Sequence, residues 1–290
     1  MGIIIKWKYP FGFFLTDKVT PSSFVKDIVQ SATNLLETEG FQVMGFTTDQ
    51  GSNFQRAFRE LGAKPESPVI KLNNSEYFVH KDPPHLLKSA RNMLEIGKVY
   101  VPGHSGTANW HLIEQLYQMD CKNSLRLCPR LTRRHIYGLK FANRMKVKLA
   151  AKVLSNSTNA AFLYAEAYNL LNPSVLSTAS FCKNMNDIFD ALNSLSSRDR
   201  VPLRRPLHLE SPTVEFLEAS LEWLRKLQRN NSSRRCKFIL GLIQSINVAL
   251  QLNKKQADLG FPFELQKFVS GSLGTIFLQS SFHFKKSNLP

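Results

Sequence analysis

The chain has 290 residues, enough for one large domain or two ordinary ones, and its 43% hydrophobic content excludes a disordered chain. Lysine and arginine outnumber aspartate and glutamate by 38 to 22, and the net charge of +16 favours a polyanionic partner, nucleic acid before membrane. No apolar run reaches the roughly 18 residues of a membrane span. The four cysteines lack zinc-finger spacing, so we expect reduced thiols in an intracellular protein.

The first 95 residues alternate between strand and helix patterns. The predicted segments are strand 6–15, a helix that starts at 20–22 and ends at Gly40, strand 41–47, short helix 54–61, loop 65–74, strand 77–80 and helix 83–94. The first three form a βαβ unit, for which we expect parallel strands and a right-handed crossover. Asp82 is expected to be the N-cap of the last helix, because two prolines follow it in the first turn.

After Gly97 the periodicity becomes almost entirely helical. The predicted helices cover 145–154, 160–171, 181–192, 214–227 and 238–250, with a loop over 194–212 that is rich in Arg, Ser and Pro. Residues 261–290 show no steady period and receive no assignment. The fold class predicted is therefore α/β plus all-α, with a domain at 1–95, a helical domain at 96–252 and a divergent tail at 253–290.

Asp49 ends the buried strand 41–47 and is followed by a turn at Gly51, the place where α/β folds position ligand and metal groups. The alternative is a turn aspartate that accepts a hydrogen bond from the backbone of Gly51 or Ser52, and spacing alone favours it. Two-metal chemistry needs several acids around one ion site. The upstream acids, which all have helix or turn explanations, are Asp17, Asp27, Glu37 and Glu39.

Two further motifs combine polar residues with a helix. In the segment 82–88, His85 and Lys88 lie near a helix N-terminus, which favours phosphate, although a plain capped helix start explains them equally well. In FDALN at 189–193, an Asp and an Asn within one turn could bind a purine edge, but an amphipathic helix with a polar end is the simpler interpretation. The chain contains no GxxxxGK[ST] phosphate loop.

Three stretches together resemble the P-element-type transposases, a family that includes THAP-domain transposases and domesticated vertebrate relatives. They are TTDQGSN at 47–53, DPPHLLKSARNML at 82–94 and MKVKLAAKVLS at 145–155. WKYPFGFF at 7–14 and TASFCKNMNDIFDALN at 178–193 fit the same family in the same order. The resemblance covers roughly residues 3 to 250.

The resemblance implies an RNase H-like catalytic core, interrupted by a helical GTP-binding insertion, in which three acids hold Mg²⁺ for DNA cleavage and strand transfer. Asp49 matches the second of these acids, so it is both the catalytic and the metal-binding candidate. In the family, GTP helps to position DNA and is not hydrolysed. The candidate GTP contacts by position are Lys146, Val147, Ser155, Phe189, Asp190 and Asn193. Nuclear localisation and DNA as partner follow from the same resemblance.

The sequence also departs from the family pattern. The first acid belongs to a strand that would precede residue 7, and a QDHLE-like segment with the third acid is not found after Leu252, since Glu264 has different neighbours. We therefore expect a catalytically incomplete, transposase-derived chain with an exposed sheet edge and a tendency to self-associate. The alternatives are a non-enzymatic basic module that binds nucleic acid or protein, and a helical interaction scaffold. The sequence leaves enzymatic activity open.

Overall fold

The computed structural model describes residues 21–138, 141–194, 196–230, 235–259 and 275–279. The strand expected at 6–15 lies outside these residues. The helices are α1 (Ser22–Thr38), α2 (Ser52–Glu60), α3 (Pro83–Ile96), α4 (Trp110–Asp120), α5 (Arg133–Ile136), α6 (Phe141–Arg144), α7 (Val147–Val153), α8 (Asn156–Ala167), α9 (Val175–Leu192), α10 (Pro212–Lys226) and α11 (Lys237–Asp258). The strands are β1 (Gln42–Thr48), β2 (Val69–Leu72), β3 (Ser75–Lys81), β4 (Val99–Tyr100), β5 (Thr107–Ala108), β6 (Gln228–Arg229) and β7 (Thr275–Gln279).

The main sheet has the strand order β2-β3-β1-β7. Strands β1 and β3 are parallel, whereas β2 pairs with β3 and β7 pairs with β1 in antiparallel fashion. The prediction of a loop over 65–74 is wrong where β2 lies, because its four residues are too few to establish a period. The strand β7 pairs with β1, so β1 is an inner strand of this sheet.

Strands β1 and β3 approach closely at Gly45. A Cβ atom at this position would lie 2.3 Å from the backbone oxygen of Phe78, which no larger side chain can tolerate without displacing the strand. Glycine at this point of a buried strand therefore permits the parallel pairing that brings the ends of β1 and β3 side by side.

Helices cover both faces of the sheet. Residues from α1 and α2 form a smaller core with one face, which includes Val25, Phe46 and Phe58. On the other face, α3 and α11 belong to a larger core that continues into the helical part of the chain and includes Met44, Leu86 and Ile243. The sheet is thus the middle of three layers, as expected for a strand buried on both faces.

Helix α11 is hydrogen-bonded to β3 although it lies about 160 residues further along the chain. The Gln244 side chain donates to the Val79 carbonyl at 2.8 Å, and the Ser245 hydroxyl donates to the Lys81 carbonyl at 2.8 Å. The Lys81 backbone N–H in turn donates to Ser245 Oγ at 3.2 Å. The domain boundaries at 95 and 252 stay predictions, and α11 joins the helical region to the sheet.

The helical part differs from prediction in its details. Helix α8 begins at Asn156, not at 160, because Ser155 caps it by accepting a hydrogen bond from the Thr158 N–H at 3.2 Å. The helix predicted over 145–154 is shorter, and a single 3-10 turn, Pro202–Arg204, lies within the predicted loop. Short strands β4, β5 and β6 form a second sheet that helical periodicity does not foresee.

The structure also describes the four cysteines and the apolarity of the helices. All four cysteines are free thiols, and Cys128 and Cys182 are buried. Within the described ranges, no helix combines the length and the apolarity that crossing a bilayer requires.

Candidate functional site

Two acids meet at the carboxyl ends of β1 and β3. Thr48 pairs with Lys81 in the parallel register, and the Asp82 N–H donates to the Thr48 carbonyl at 3.0 Å. Asp49 and Asp82 are the next residues of the two strands. Because the carboxyl ends of parallel strands lie at the same end of the sheet, the fold brings both acids to the position where α/β proteins bind ligands.

Asp49 is half-buried and holds the turn that follows β1. Its Oδ1 accepts a hydrogen bond from the Gly51 N–H at 2.7 Å, so the turn role considered as the alternative is present. The turn uses one of the two carboxylate oxygens. The structure therefore accommodates the turn role together with a ligand role for the second oxygen, and the assignment of Asp49 as a catalytic and metal-binding residue stays a prediction.

Asp82 is only 6% exposed and is the N-cap residue of α3, as predicted, but its side chain makes no cap hydrogen bond. One carboxylate oxygen is bonded to Nδ1 of His85, one turn into the helix, and this bond replaces the cap. The other oxygen, Oδ1, is buried without a hydrogen-bond partner among the described residues. A buried carboxylate oxygen without a partner is costly, and it is the type of donor that a hard cation such as Mg²⁺ prefers.

These two carboxylates do not make a complete metal centre by themselves. In the part of the chain that the structure describes, no group of three or more His, Cys, Asp and Glu side chains could hold an ion. Asp49 and Asp82 are the residues that would contribute oxygen ligands to Mg²⁺ here, and the metal would supply Lewis-acid activation of a phosphoryl group.

Two lysines surround the acids. Lys81 is 6% exposed, and burial lowers its pKa to about 8, against the opposing effect of Asp49. Burial likewise lowers the pKa of Lys88, against Asp82 and Asp49. The Lys81 Nζ donates to the Thr48 hydroxyl at 3.0 Å. This sheet edge therefore contains cations and anions in close proximity, which suits the binding of phosphate groups.

Asp190, the candidate purine-binding carboxylate, has a partner from the same chain. The Arg204 guanidinium forms an ion pair with its Oδ2 at 3.0 Å, and the Asn186 amide donates to the same oxygen at 3.1 Å. Burial raises the pKa of Asp190, and Arg204 opposes that shift. Arg204 thus presents N–H donors to the carboxylate that the purine N–H groups of GTP would otherwise approach.

Three of the other candidate nucleotide contacts lie at the ends of α8 and α9. Ser155 caps α8, and the next residue is linked to α9 by a 3.4 Å hydrogen bond to Asn186, the neighbour of Asp190. Asn193 ends α9, and its Oδ1 is buried without a partner among the described residues. Phe189 is half-buried and packs against the large core.

Lys146 and Val147 lie at the start of α7, which packs against α3 and α5. No hydrogen bond or ion pair of the described residues joins either of them to Asp190. The structure therefore brings Ser155 and Asp190 together through Asn186. It places Lys146 on an exposed surface.

Sequence reasoning missed one surface that the residues alone could have revealed. Between Asp120 and Glu166 the chain has ten lysines and arginines and not a single aspartate or glutamate. Two of these cations have ion-pair partners outside the segment, Arg126 with Asp120 at 3.1 Å and Arg144 with Glu95 at 2.8 Å. We call the segment 121–165 the acid-free segment. Its described cations without an ion-pair partner are Lys122, Arg130, Arg133, Arg134, Lys146, Lys148 and Lys152.

Comparison with known proteins shows what this chain is similar to. Residues 1–62 match the model of a TNP-like RNase H N-terminal domain, and residues 84–202 match that of a TNP-like GTP-binding insertion domain. Together the two matches cover more than half of the chain. The Transposable element P transposase of Drosophila melanogaster is 27% identical over 211 residues, which is 71% of this chain and 27% of that protein.

A solved structure has a similar fold. The Drosophila P element transposase strand transfer complex contains a chain that superposes with a TM-score of 0.71 at 24% identity, covering 85% of this chain and 55% of that one. The chain therefore spans about half the length of the solved relative and about a quarter of the curated one. The predicted fold class, a partial RNase H-like sheet followed by a helical GTP-binding-like insertion, is confirmed.

Proposed function

We propose that this chain is a transposase-derived protein that binds DNA through the acid-free segment. Its similarity to the two TNP-like domains and to the P transposase supports the proposal. The observation that carries the proposal is the charge of that segment, ten cations and no anion. Arg130, Arg133 and Lys148 are exposed. A cation that has no protein carboxylate to neutralise it can release counterions from a phosphate backbone, which is the main source of DNA affinity.

The cations of α5 and α7 belong to one surface. The two helices are in contact. Burial lowers the pKa of His135, and both Lys152 on α7 and Arg134 on α5 contribute to the same shift. Cations from two helices thus act on a single side chain between them. A concentrated surface of this kind favours binding to a polyanion over scattered charge.

The test is the affinity of the full chain for a duplex oligonucleotide, measured by fluorescence anisotropy. The variant Arg130→Gln, Arg133→Gln, Lys148→Gln should bind more weakly at low salt, and its salt slope should be shallower by about 3, since each lost phosphate contact reduces the slope by about 1. The control removes three exposed cations elsewhere, Arg198→Gln, Arg200→Gln, Lys254→Gln, with the same change in net charge. Equal losses in the two variants would refute the assignment of the surface.

We further propose that the chain does not complete metal-dependent cleavage. The proposal is supported by the described residues, in which no third acidic side chain joins Asp49 and Asp82 to form an ion site, since two-metal phosphoryl transfer requires several acids at one site. Incubation with transposon-end DNA and Mg²⁺ should leave the strands intact. Cleavage that is lost in Asp49→Ala would refute this and would make Asp49 a catalytic residue.

GTP binding is proposed for the surface at the ends of α8 and α9. It is supported by the position of Ser155 beside Asn186 and Asp190, and by the buried Asn193 oxygen that lacks a partner among the described residues. Asp190 would hold the purine and Ser155 a second polar group of the nucleotide. The role proposed for GTP is that of a ligand which positions DNA, and nuclear localisation belongs to the same proposal.

A second candidate function is protein binding, which one observation favours. The rings of Tyr164 and Tyr168 stack at a centroid distance of 4.4 Å on the surface, next to exposed Leu163 and Leu170. An exposed apolar cluster is typical of a protein contact. Self-association through this cluster would give a concentration-dependent mass in sedimentation, which Tyr164→Ser, Tyr168→Ser should abolish. A single mass at all concentrations would contradict it.

A further inference from the structure

A cavity of about 180 Å³ lies between the end of the main sheet, α2 and the first turns of α11. This volume is many times the roughly 10–15 Å³ that one water molecule needs. Its polar lining comes from four different elements of the fold. The residues that matter for its chemistry are Gln50, Arg59, Lys81, Lys237, Gly241 and Gln244.

The cavity carries three positive charges. Lys81 is buried, whereas Arg59 and Lys237 are exposed. None of the described residues that line the cavity is acidic. The only side-chain bond of the Lys81 ammonium within the described part of the chain goes to the Thr48 hydroxyl, which leaves further N–H donors. Asp49 lies near enough to influence Lys81, but does not line the cavity.

Two other features add donors to the same space. The Nε2 atom of Gln50 is buried and has no hydrogen-bond partner among the described residues, while its Oε1 accepts from Ser89. Lys237 is the first residue of α11, a helix of 22 residues whose N-cap makes no side-chain hydrogen bond. The α11 residues that line the cavity lie along one side of the helix, so its first turn borders the cavity and adds a partial positive charge to that of Lys237.

We propose that this cavity binds a phosphate group, with the Lys81 ammonium and the Gln50 amide as its deep donors and Arg59 and Lys237 at its mouth. A buried ammonium without a bonded anion is unfavourable, and a phosphate would supply the missing charge and accept the free donors. This goes beyond the proposed function, since it requires neither the acid-free segment nor chemistry at Asp49.

The position of Lys81 is fixed before any ligand binds. Both its backbone N–H and its carbonyl are hydrogen-bonded to Ser245 of α11, and its side chain is bonded to Thr48. The donor is therefore held in place, and a ligand does not have to order it at a cost in entropy.

The experiment measures thermal unfolding of the full chain in potassium phosphate and in potassium chloride at equal ionic strength. Phosphate should raise the Tm of the wild type, and titration should show saturation. Lys81→Met should lose the phosphate-dependent rise entirely, while Lys254→Gln, which removes an exposed lysine elsewhere, should retain it. A wild type that responds equally to both salts, or a Lys81→Met variant that keeps the response, would overturn the proposal.

A second variant, changed only at exposed residues, tests the proposal even if Lys81→Met does not fold. Arg59→Gln, Lys237→Gln alters exposed side chains only and should raise the apparent Kd for phosphate about tenfold. An unchanged Kd would place the anion elsewhere and contradict the assignment.

The phosphate could belong to a DNA end or be free. Competition with a short oligonucleotide that carries either a 5′-phosphate or a 5′-hydroxyl distinguishes the sources. Selective competition by the phosphorylated form assigns the cavity to DNA ends, and no competition by either assigns it to free phosphate. The triple variant of the acid-free segment should keep the inorganic phosphate response, so failure of the DNA proposal remains distinguishable from failure of this one.

Discussion

At the scale of single residues, the main feature of the site is that two charged side chains, Lys81 and Asp82, are buried. Lys81 and Asp82 are adjacent and both nearly inaccessible. The Lys81 ammonium donates to the Thr48 hydroxyl, whereas Asp82 Oδ1 has no hydrogen-bond partner in the described part of the protein. Removing a charge from water costs several kcal/mol unless a partner compensates it. At the end of β3, beside Asp49, two charged groups are thus removed from water at a cost in free energy. Such an arrangement is typical of a ligand site.

The charge of Lys81 makes stability depend on pH. Burial lowers its pKa from 10.5 to about 8, so between these values the unfolded chain holds a proton that the folded chain releases. Because the folded state binds fewer protons there, the free energy of unfolding rises with pH in this window. Lys81→Met should remove up to about 3 kcal/mol of this rise. Urea unfolding at about pH 7 and about pH 10 measures it, with Lys254→Met as control.

A parallel pH dependence in wild type and Lys81→Met would show that other groups are responsible. In that case the ammonium is better solvated than its 6% exposure indicates.

The ion pair between Arg204 and Asp190 gives a second prediction at this scale. Since Arg204 occupies the carboxylate that GTP would use, Arg204→Ala should strengthen GTP binding several-fold in calorimetry of the full chain. Asp190→Ala should abolish binding, and GDP should follow the same order. Arg205→Ala is the control, because Arg205 bonds the Asp199 carbonyl instead.

If Arg204→Ala instead weakens binding, the arginine contacts the nucleotide directly. If none of the proteins binds GTP, the helical domain has lost that function.

At the scale of elements, the sequence predicts the strands and helices whose signals come from residues close together in the chain. The buried strand at 41–47 and the helix start after Asp82 were correct because periodicity and proline are local signals. The bonds of Gln244 and Ser245 to β3, the ion pair of Arg204 and the burial of Lys81 were not predictable, since each depends on a residue that is distant or only spatially close. The places of Asp49 at a strand end and of Asp82 at a helix start are local signals, whereas their side-by-side arrangement depends on the pairing of β1 with β3.

The contact between α11 and α3 is a test of that non-local packing. A Cβ atom on Gly241 would lie 2.3 Å from Cδ2 of Leu86, a fully buried side chain. Gly241→Ala should therefore destabilise the protein by about 1–3 kcal/mol despite the better helix propensity of alanine. Gln251→Ala on the exposed face of the same helix should change stability by less than about 0.5 kcal/mol. A Gly241→Ala protein as stable as wild type in urea would show that α11 lies further from α3.

At the scale of the whole molecule, positive charge and candidate chemistry occupy different regions. Asp49 and Asp82 lie at the carboxyl ends of β1 and β3, whereas ten of the cations lie in the acid-free segment. Both regions share one continuous core that runs from Met44 of the sheet to Phe162 of α8. DNA bound to the acid-free segment would therefore have a fixed position relative to Asp49 and Asp82, whether or not these acids take part in cleavage.

The salt dependence of the affinity of the wild-type chain for duplex DNA tests most directly whether the acid-free segment binds DNA. If at least five unpaired cations of the acid-free segment contact phosphates, the logarithm of the association constant should fall with the logarithm of salt concentration with a slope steeper than about −4. A slope shallower than about −2 would mean few phosphate contacts. That result would contradict the DNA-binding account and favour a protein-interaction scaffold.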